Sequence, residues 1–134
     1  MKALFDTTML IHLLKGDTKA IETSEQLRKQ NVVLYTTVIN IYEVSRGIKL
    51  KNIGKDEHHL ALNNLTKNLN ILLIDLIVAE TASLIYGDLR KKGMTIDEPD
   101  YLVAGACISN GIETIVTKNE KHFKHIKGLK VLTY

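Results

Sequence analysis

The sequence predicts an α/β fold, a mostly parallel sheet covered by helices on both faces. Three observations carry that expectation. Short apolar or β-branched runs alternate with helical runs of ten or more residues along the whole chain, the pattern of βαβ units. The 134 residues show no internal repeat, no low-complexity run and a single proline, Pro99, so residues 1–134 read as one domain. With 45% hydrophobic and 25% charged residues, the composition is that of an ordinary globular chain and excludes disorder.

Taken in order, Lys2–Phe5 is a short apolar strand ended by Asp6. Thr7–Lys15 reads as a helix stopped by Gly16, and Asp17 or Thr18 caps a second helix running through Lys29. Val32–Tyr35 is a β-branched strand. Val38–Leu50 carries Ile41, Val44 and Ile48 at helical spacing, and Leu62, Leu65 and Leu69 mark a further helix. Asn70–Ile74 is a strand, and Ala79, Ala82, Tyr86 and Leu89 form the apolar stripe of a helix from about Leu76 to Lys92, ended by Gly93. Pro99–Asn110 opens with a proline suited to a helix N-terminus and closes at Asn110-Gly111, a C-capping pair. Thr114–Thr117 and Lys130–Leu132 are the last strands. In such sheets ligands bind beyond the carboxyl ends of the strands, where strand order reverses, so functional residues are expected just after strands.

Several function classes drop out. The longest stretch without Asp, Glu, Lys or Arg is Gln30–Tyr42, 13 residues, short of the ~18 that a membrane helix needs. Asp6 interrupts the first apolar run, which argues against a signal peptide and for a cytoplasmic protein. One cysteine, Cys107, leaves no internal disulfide and no thiolate pair for structural zinc, and its apolar helix makes it a packing residue. Neither GxGxxG nor GxxxxGK[ST] follows a strand, and no Gly-x-Ser-x-Gly elbow occurs. The net charge of +3 suits a polyanionic partner without requiring one. Its distribution is more informative: Lys118, Lys121, Lys124, Lys127 and Lys130 form one basic tract, with His122 and His125 between them, and Arg46, Lys49, Lys51 and Lys55 form another.

Three acids stand apart from the rest. Asp6 is the only acid in the first 16 residues, Glu43 lies in the apolar segment Val-Ile-Asn-Ile-Tyr-Glu-Val, and Asp100 precedes the nearly uncharged Tyr101–Ile112. An ionised carboxylate in apolar surroundings needs a cation, a hydrogen-bond network or a metal. Each acid also has a plainer reading: Asp6 as an N-cap, Asp100 as first-turn charge on a helix, Glu43 paired with Arg46. Together, a strand end and two neighbouring helices can converge on one pocket, and carboxylates with water suit Mg²⁺ or Mn²⁺ better than zinc. Of the five histidines, His58 and His59 are adjacent, and His122 and His125 read as residues of a basic loop facing solvent or nucleic acid.

These residues resemble the motifs of PIN domains. Phe5-Asp6-Thr7-Thr8-x-Leu10-Ile11 is similar to the family's opening, and Glu43-x-x-x-Gly47 to its second acidic motif. Gly93-x-x-Ile96-x-x-x-Asp100-x-x-Val103-Ala104 resembles the third. Val116-Thr117-Lys118-Asn119-x-x-x-Phe123, followed by Gly128-Leu129-x-Val131, resembles the closing segment. The order is that of the family, the likeness spans the chain, and it is strongest to the VapC-type toxin ribonucleases. The resemblance implies a three-layer α/β/α fold with a five-stranded parallel sheet of order 3-2-1-4-5. It also implies an endoribonuclease dependent on Mg²⁺ or Mn²⁺, with Asp6, Glu43, Asp100 and Asn119 as the catalytic quartet and the three acids as metal ligands. Thr7 and Thr117 would support the carboxylates, and Arg46, Lys118, Lys121 and Lys124 would contact RNA, whether tRNA, rRNA or mRNA. A homodimer and a VapB-like antitoxin partner are implied as well.

The chain departs from the pattern at Asn119, where many relatives carry Asp, and at Thr8, commonly Asn or Ser. In Asp97-Glu98-Pro99-Asp100 the ligand can be Asp97 instead, although the spacing to Val103-Ala104 favours Asp100. Two rival readings are a receiver-like phospho-acceptor module, with Asp75 after the third strand, and an inactive PIN scaffold that binds RNA or a partner. The first leaves Glu43 unexplained; the second leaves three costly carboxylates without a purpose.

Overall fold

The computed structural model describes residues 1–134. Its five strands are β1 (Lys2–Phe5), β2 (Val33–Thr37), β3 (Asn70–Leu72), β4 (Thr114–Val116) and β5 (Lys130–Leu132). The helices are α1 (Thr7–Leu14), α2 (Thr18–Lys29), α3 (Val38–Lys49), α4 (Lys55–Thr66), α5 (Leu76–Lys91), α6 (Glu98–Ser109) and α7 (Glu120–Phe123). All neighbouring strands pair in parallel, in the order β3-β2-β1-β4-β5 that the motif resemblance implies.

Alternation along β1 divides the core. Ala3 and Phe5 point to one face, where Met9, Leu10, Ala20, Leu27, Val44 and Ile48 bring in α1, α2 and α3. Leu4 points to the other, against Ala82, Ile85, Val103, Ala104 and Cys107 of α5 and α6. Three layers result. Residue 105 must be glycine for the second face to close. A Cβ there would lie 2.8 Å from the Val78 carbonyl oxygen and 3.0 Å from the Ala82 nitrogen, both on α5.

Local differences from the sequence reading have local causes. β2 starts one residue later and runs on to Thr37, because Thr36 and Thr37 pair with Ile71 and Leu72 and the Thr36 hydroxyl donates to the Phe5 carbonyl. The edge strand β3 stops at Leu72, short of Ile74. The helix marked by Leu69 ends at Thr66, where a turn bonds the Leu69 N–H to the Thr66 carbonyl. The four-residue α7 is too short to show a period and reads as loop from sequence. The chain runs outward from β1 through β2 to β3, then returns to lay β4 on the other side of β1. The crevice between the ends of β1 and β4 is therefore the switch point, and Asp6 and Thr117 stand on its rim.

Candidate active site

Asp6 takes the N-cap position of α1, yet its side chain makes no capping hydrogen bond. It is only 2% exposed, and both carboxylate oxygens are spent on distant residues. Oδ1 accepts from the Asn40 amide at 2.9 Å, and Oδ2 from the Thr117 hydroxyl at 2.8 Å. Thr117 has one proton, and the carboxylate can only accept, so the other contacts of its oxygen are received. The Asn119 N–H donates to it at 2.9 Å, and Thr8 Oγ1, 3.2 Å away, must be the donor of that pair. Thr8 in turn accepts from the Lys118 N–H at 3.0 Å. The turn after β4 is thereby bolted to the start of α1.

A second chain of hydrogen bonds runs through Asn40. A capping box at the start of α3 joins Thr37 and Asn40, with Asn40 Oδ1 accepting from the Thr37 hydroxyl at 2.7 Å. That fixes which end of the amide is which. Its Nδ2 donates to Asp6 and, at 3.0 Å, to Thr7 Oγ1, and Thr7 donates to Glu43 Oε1 at 2.7 Å. Glu43 makes no ion pair with Arg46, whose guanidinium lies instead over the Tyr42 ring, 5.3 Å from its centroid.

Asp100 enters from the first turn of α6. Its Oδ2 lies 2.6 Å from His122 Nδ1 on α7, the one contact in the chain between a carboxylate and a basic side chain within 4.0 Å. Asp97, at the N-cap of α6, makes no capping bond either, and one ligand atom from each of Asp97, Asp100 and His122 lies within 4.8 Å of the others. The loop reading of His122 is therefore corrected: it sits in α7, half-buried, facing an acid. Sequence spacing missed it because the two are 22 residues apart on different elements. Asn119 is half-buried beside them; its backbone supports Thr117, and its side chain makes no hydrogen bond within the chain.

The three acids are near enough for their charges to act on one another. Burial pushes the Asp6 carboxyl above its usual range; the Thr117 hydrogen bond opposes this and the Glu43 charge adds to it. Burial likewise raises Asp100 to about 6, the His122 hydrogen bond opposing and the charges of Asp6 and Glu43 adding. No Lys or Arg side-chain nitrogen lies within 4.0 Å of any of their carboxylate oxygens. Crowded carboxylates with no Lys or Arg to neutralise them fit a hard divalent ion. Cys107, by contrast, is sealed in the core, where burial raises its thiol and leaves it inert.

A family model described as PIN domain matches residues 3–129. The chain belongs to the PIN domain family. Among the relatives of this PIN domain, Ribonuclease VapC1 of Methanocaldococcus jannaschii is 33% identical over 133 residues, covering 97% of this chain and 86% of the relative. Ribonuclease VapC1 of Rickettsia felis is 31% identical over 135 residues, covering 99% and 96%. A chain in the crystal structure of VapBC2 from Rickettsia felis, bound to a DNA fragment from their promoter, shares the PIN fold. It has a TM-score of 0.87 and 24% identity, covering 100% of this chain and 99% of that one.

The PIN fold brings Asp6, Thr7, Glu43, Asp100, Thr117 and the backbone of Asn119 to one crevice. The basic residues are less uniform. Lys121 and Lys124 are exposed on and after α7, whereas the Lys118 ammonium lies 4.3 Å from the centroid of Tyr134, the last residue of the chain. Asp75, the acid that a receiver reading needs, accepts from the Val78 N–H as the N-cap of α5. Asn40 was not singled out from sequence. Its signals were the Thr37-x-x-Asn40 capping spacing and a polar amide inside an apolar run.

Proposed function

We propose that this PIN domain is a divalent-metal-dependent endoribonuclease and the toxin of a toxin–antitoxin pair. The observation that carries the reading is the convergence of Asp6, Glu43 and Asp100 without a neutralising Lys or Arg. The names of the two relatives and the complex from Rickettsia felis support it. Asp6, Glu43 and Asp100 would hold Mg²⁺ or Mn²⁺, with Asn119 at the edge of the site. When bound, the ion supplies Lewis-acid chemistry: it offsets the charge of the scissile phosphate and acidifies a water molecule. The chain's own part is to keep the acids ionised and aimed. Thr117 and Asn40 stabilise the charged form of Asp6, Thr7 orients Glu43, and His122 orients Asp100. Arg46, Lys118, Lys121 and Lys124 supply positive charge for the RNA backbone.

A VapB-like antitoxin is the proposed partner. A homodimer is supported by the exposed apolar residues Leu73, Leu76, Ile77 and Leu84 on and before α5. The test is direct. End-labelled RNA incubated with the protein should be cut internally in Mg²⁺ or Mn²⁺ and left intact in EDTA. Cleavage that persists in EDTA, or none in either metal, overturns the proposal.

A further inference from the structure

A groove lies between the C-terminal half of α3 and the first turns of α4. It is open to solvent and has a volume of about 750 Å³, within the usual range for ligand sites. Arg46 and Lys49 from α3 and Lys55 from α4 line it, against the single acid Asp56. None of the three cations pairs with a carboxylate, so their charge is open to a ligand. A 2.9 Å hydrogen bond between Ser45 Oγ and His58 Nε2 ties the two walls together. At one end Tyr42 is 61% exposed, and the Arg46 guanidinium lies over its ring, a cation–aromatic pair on which a base can stack.

The same helix carries Glu43. At about 1.5 Å of rise per residue, Arg46 lies about 4.5 Å and Lys49 about 9 Å further along α3. The groove therefore begins within one helical turn of Glu43. Aromatic and guanidinium faces that stack bases, set among lysines that track phosphates, are the components of a single-strand subsite.

We infer that the α3–α4 groove is a substrate subsite. It takes an unpaired nucleotide about one to two positions from the scissile phosphate, stacking its base on Tyr42 and Arg46 and placing phosphates on Lys49 and Lys55. The inference rests on the ribonuclease reading above and adds to it a residue set that the carboxylate site does not use. It also gives the second basic tract of the sequence a function.

The test is fluorescence anisotropy with a labelled single-stranded RNA of about twelve nucleotides, in an Asp100→Asn background that suppresses cleavage. Lys49→Gln with Lys55→Gln should weaken binding and reduce the salt slope by up to about 1.4, at roughly 0.7 for each phosphate contact on a single strand. Tyr42→Ala should cost about five- to a hundredfold in affinity, while Tyr42→Phe, which keeps the stacking face, should retain it. All these side chains are exposed, so circular dichroism and melting should match the parent. If the parent binds no RNA, the ribonuclease reading and the subsite fall together. If the parent binds and the variants keep its affinity and salt slope, the subsite alone is overturned. Unchanged RNA affinity with an altered mass by light scattering overturns it too, and makes the groove an interface between copies.

Discussion

Replacing Thr117 by valine removes one hydroxyl and almost no volume, and the structure sets what that should cost. The hydroxyl donates to the Asp6 carboxylate and accepts from the Asn119 N–H and from Thr8. A hydrogen bond to a charged group contributes about 1.5–3 kcal/mol, and a donor left without its acceptor adds to the loss where water cannot replace it. Thr117 is fully buried but Asn119 is half-buried, so water can rescue part of the second term. The expected loss is about 2–3 kcal/mol. With an unfolding entropy near 2.1 cal/mol/K per residue, a chain of 134 residues loses about 7–11 °C in Tm. Mn²⁺ affinity, followed by calorimetry, should weaken roughly ten- to a hundredfold, because Asp6 loses the donor that keeps it ionised and aimed. In an Asp6→Asn background the stability cost should shrink to that of a neutral hydrogen bond, about 1 kcal/mol. A Thr117→Val protein with unchanged Tm and unchanged Mn²⁺ affinity would refute the argument. So would an equal loss in the Asp6→Asn background.

Other outcomes follow from the same geometry. Asp6→Asn, Glu43→Gln and Asp100→Asn should each abolish metal-dependent RNA cleavage in a gel assay while raising the Tm of the metal-free protein, since each relieves repulsion among neighbouring carboxylates. Because folding raises the Asp100 carboxyl from 3.8 to about 6, its contribution to stability is complete below pH 3.8 and lost as pH rises through about 6. The metal-free Tm of wild type should therefore fall relative to Asp100→Asn over that window, and saturating Mn²⁺, which binds the charged form, should reverse the difference. Gly105→Ala should destabilise the protein by about 1–3 kcal/mol in urea melts, because its methyl group meets the α5 backbone at Val78 and Ala82; an unchanged midpoint would mean that the helices separate freely.

The receiver-like alternative illustrates how position outweighs residue type. It has an acid of the right kind in Asp75, but that carboxylate caps its own helix instead of joining the other acids. Asp6 stands at an equally good capping position and does not cap, because Asn40 and Thr117 offer it better donors from across the fold.

What the sequence determined by itself is what short-range periodicity and composition encode. Alternation of strand and helix set the fold class, the capping residues placed most helix ends, and the isolation of Asp6, Glu43 and Asp100 among apolar residues marked them as candidates. Motif resemblance added the strand order, which periodicity does not contain. Only the tertiary structure decided the partners of those acids. Thr117 reaches Asp6 across 111 residues, Asn40 across 34, and His122 reaches Asp100 from a helix too short to announce itself. The physical reason is range. A hydrophobic stripe reports which face of one element is buried, whereas a hydrogen bond between elements forms only when strand register and helix placement bring donor and acceptor to within about 3 Å of each other.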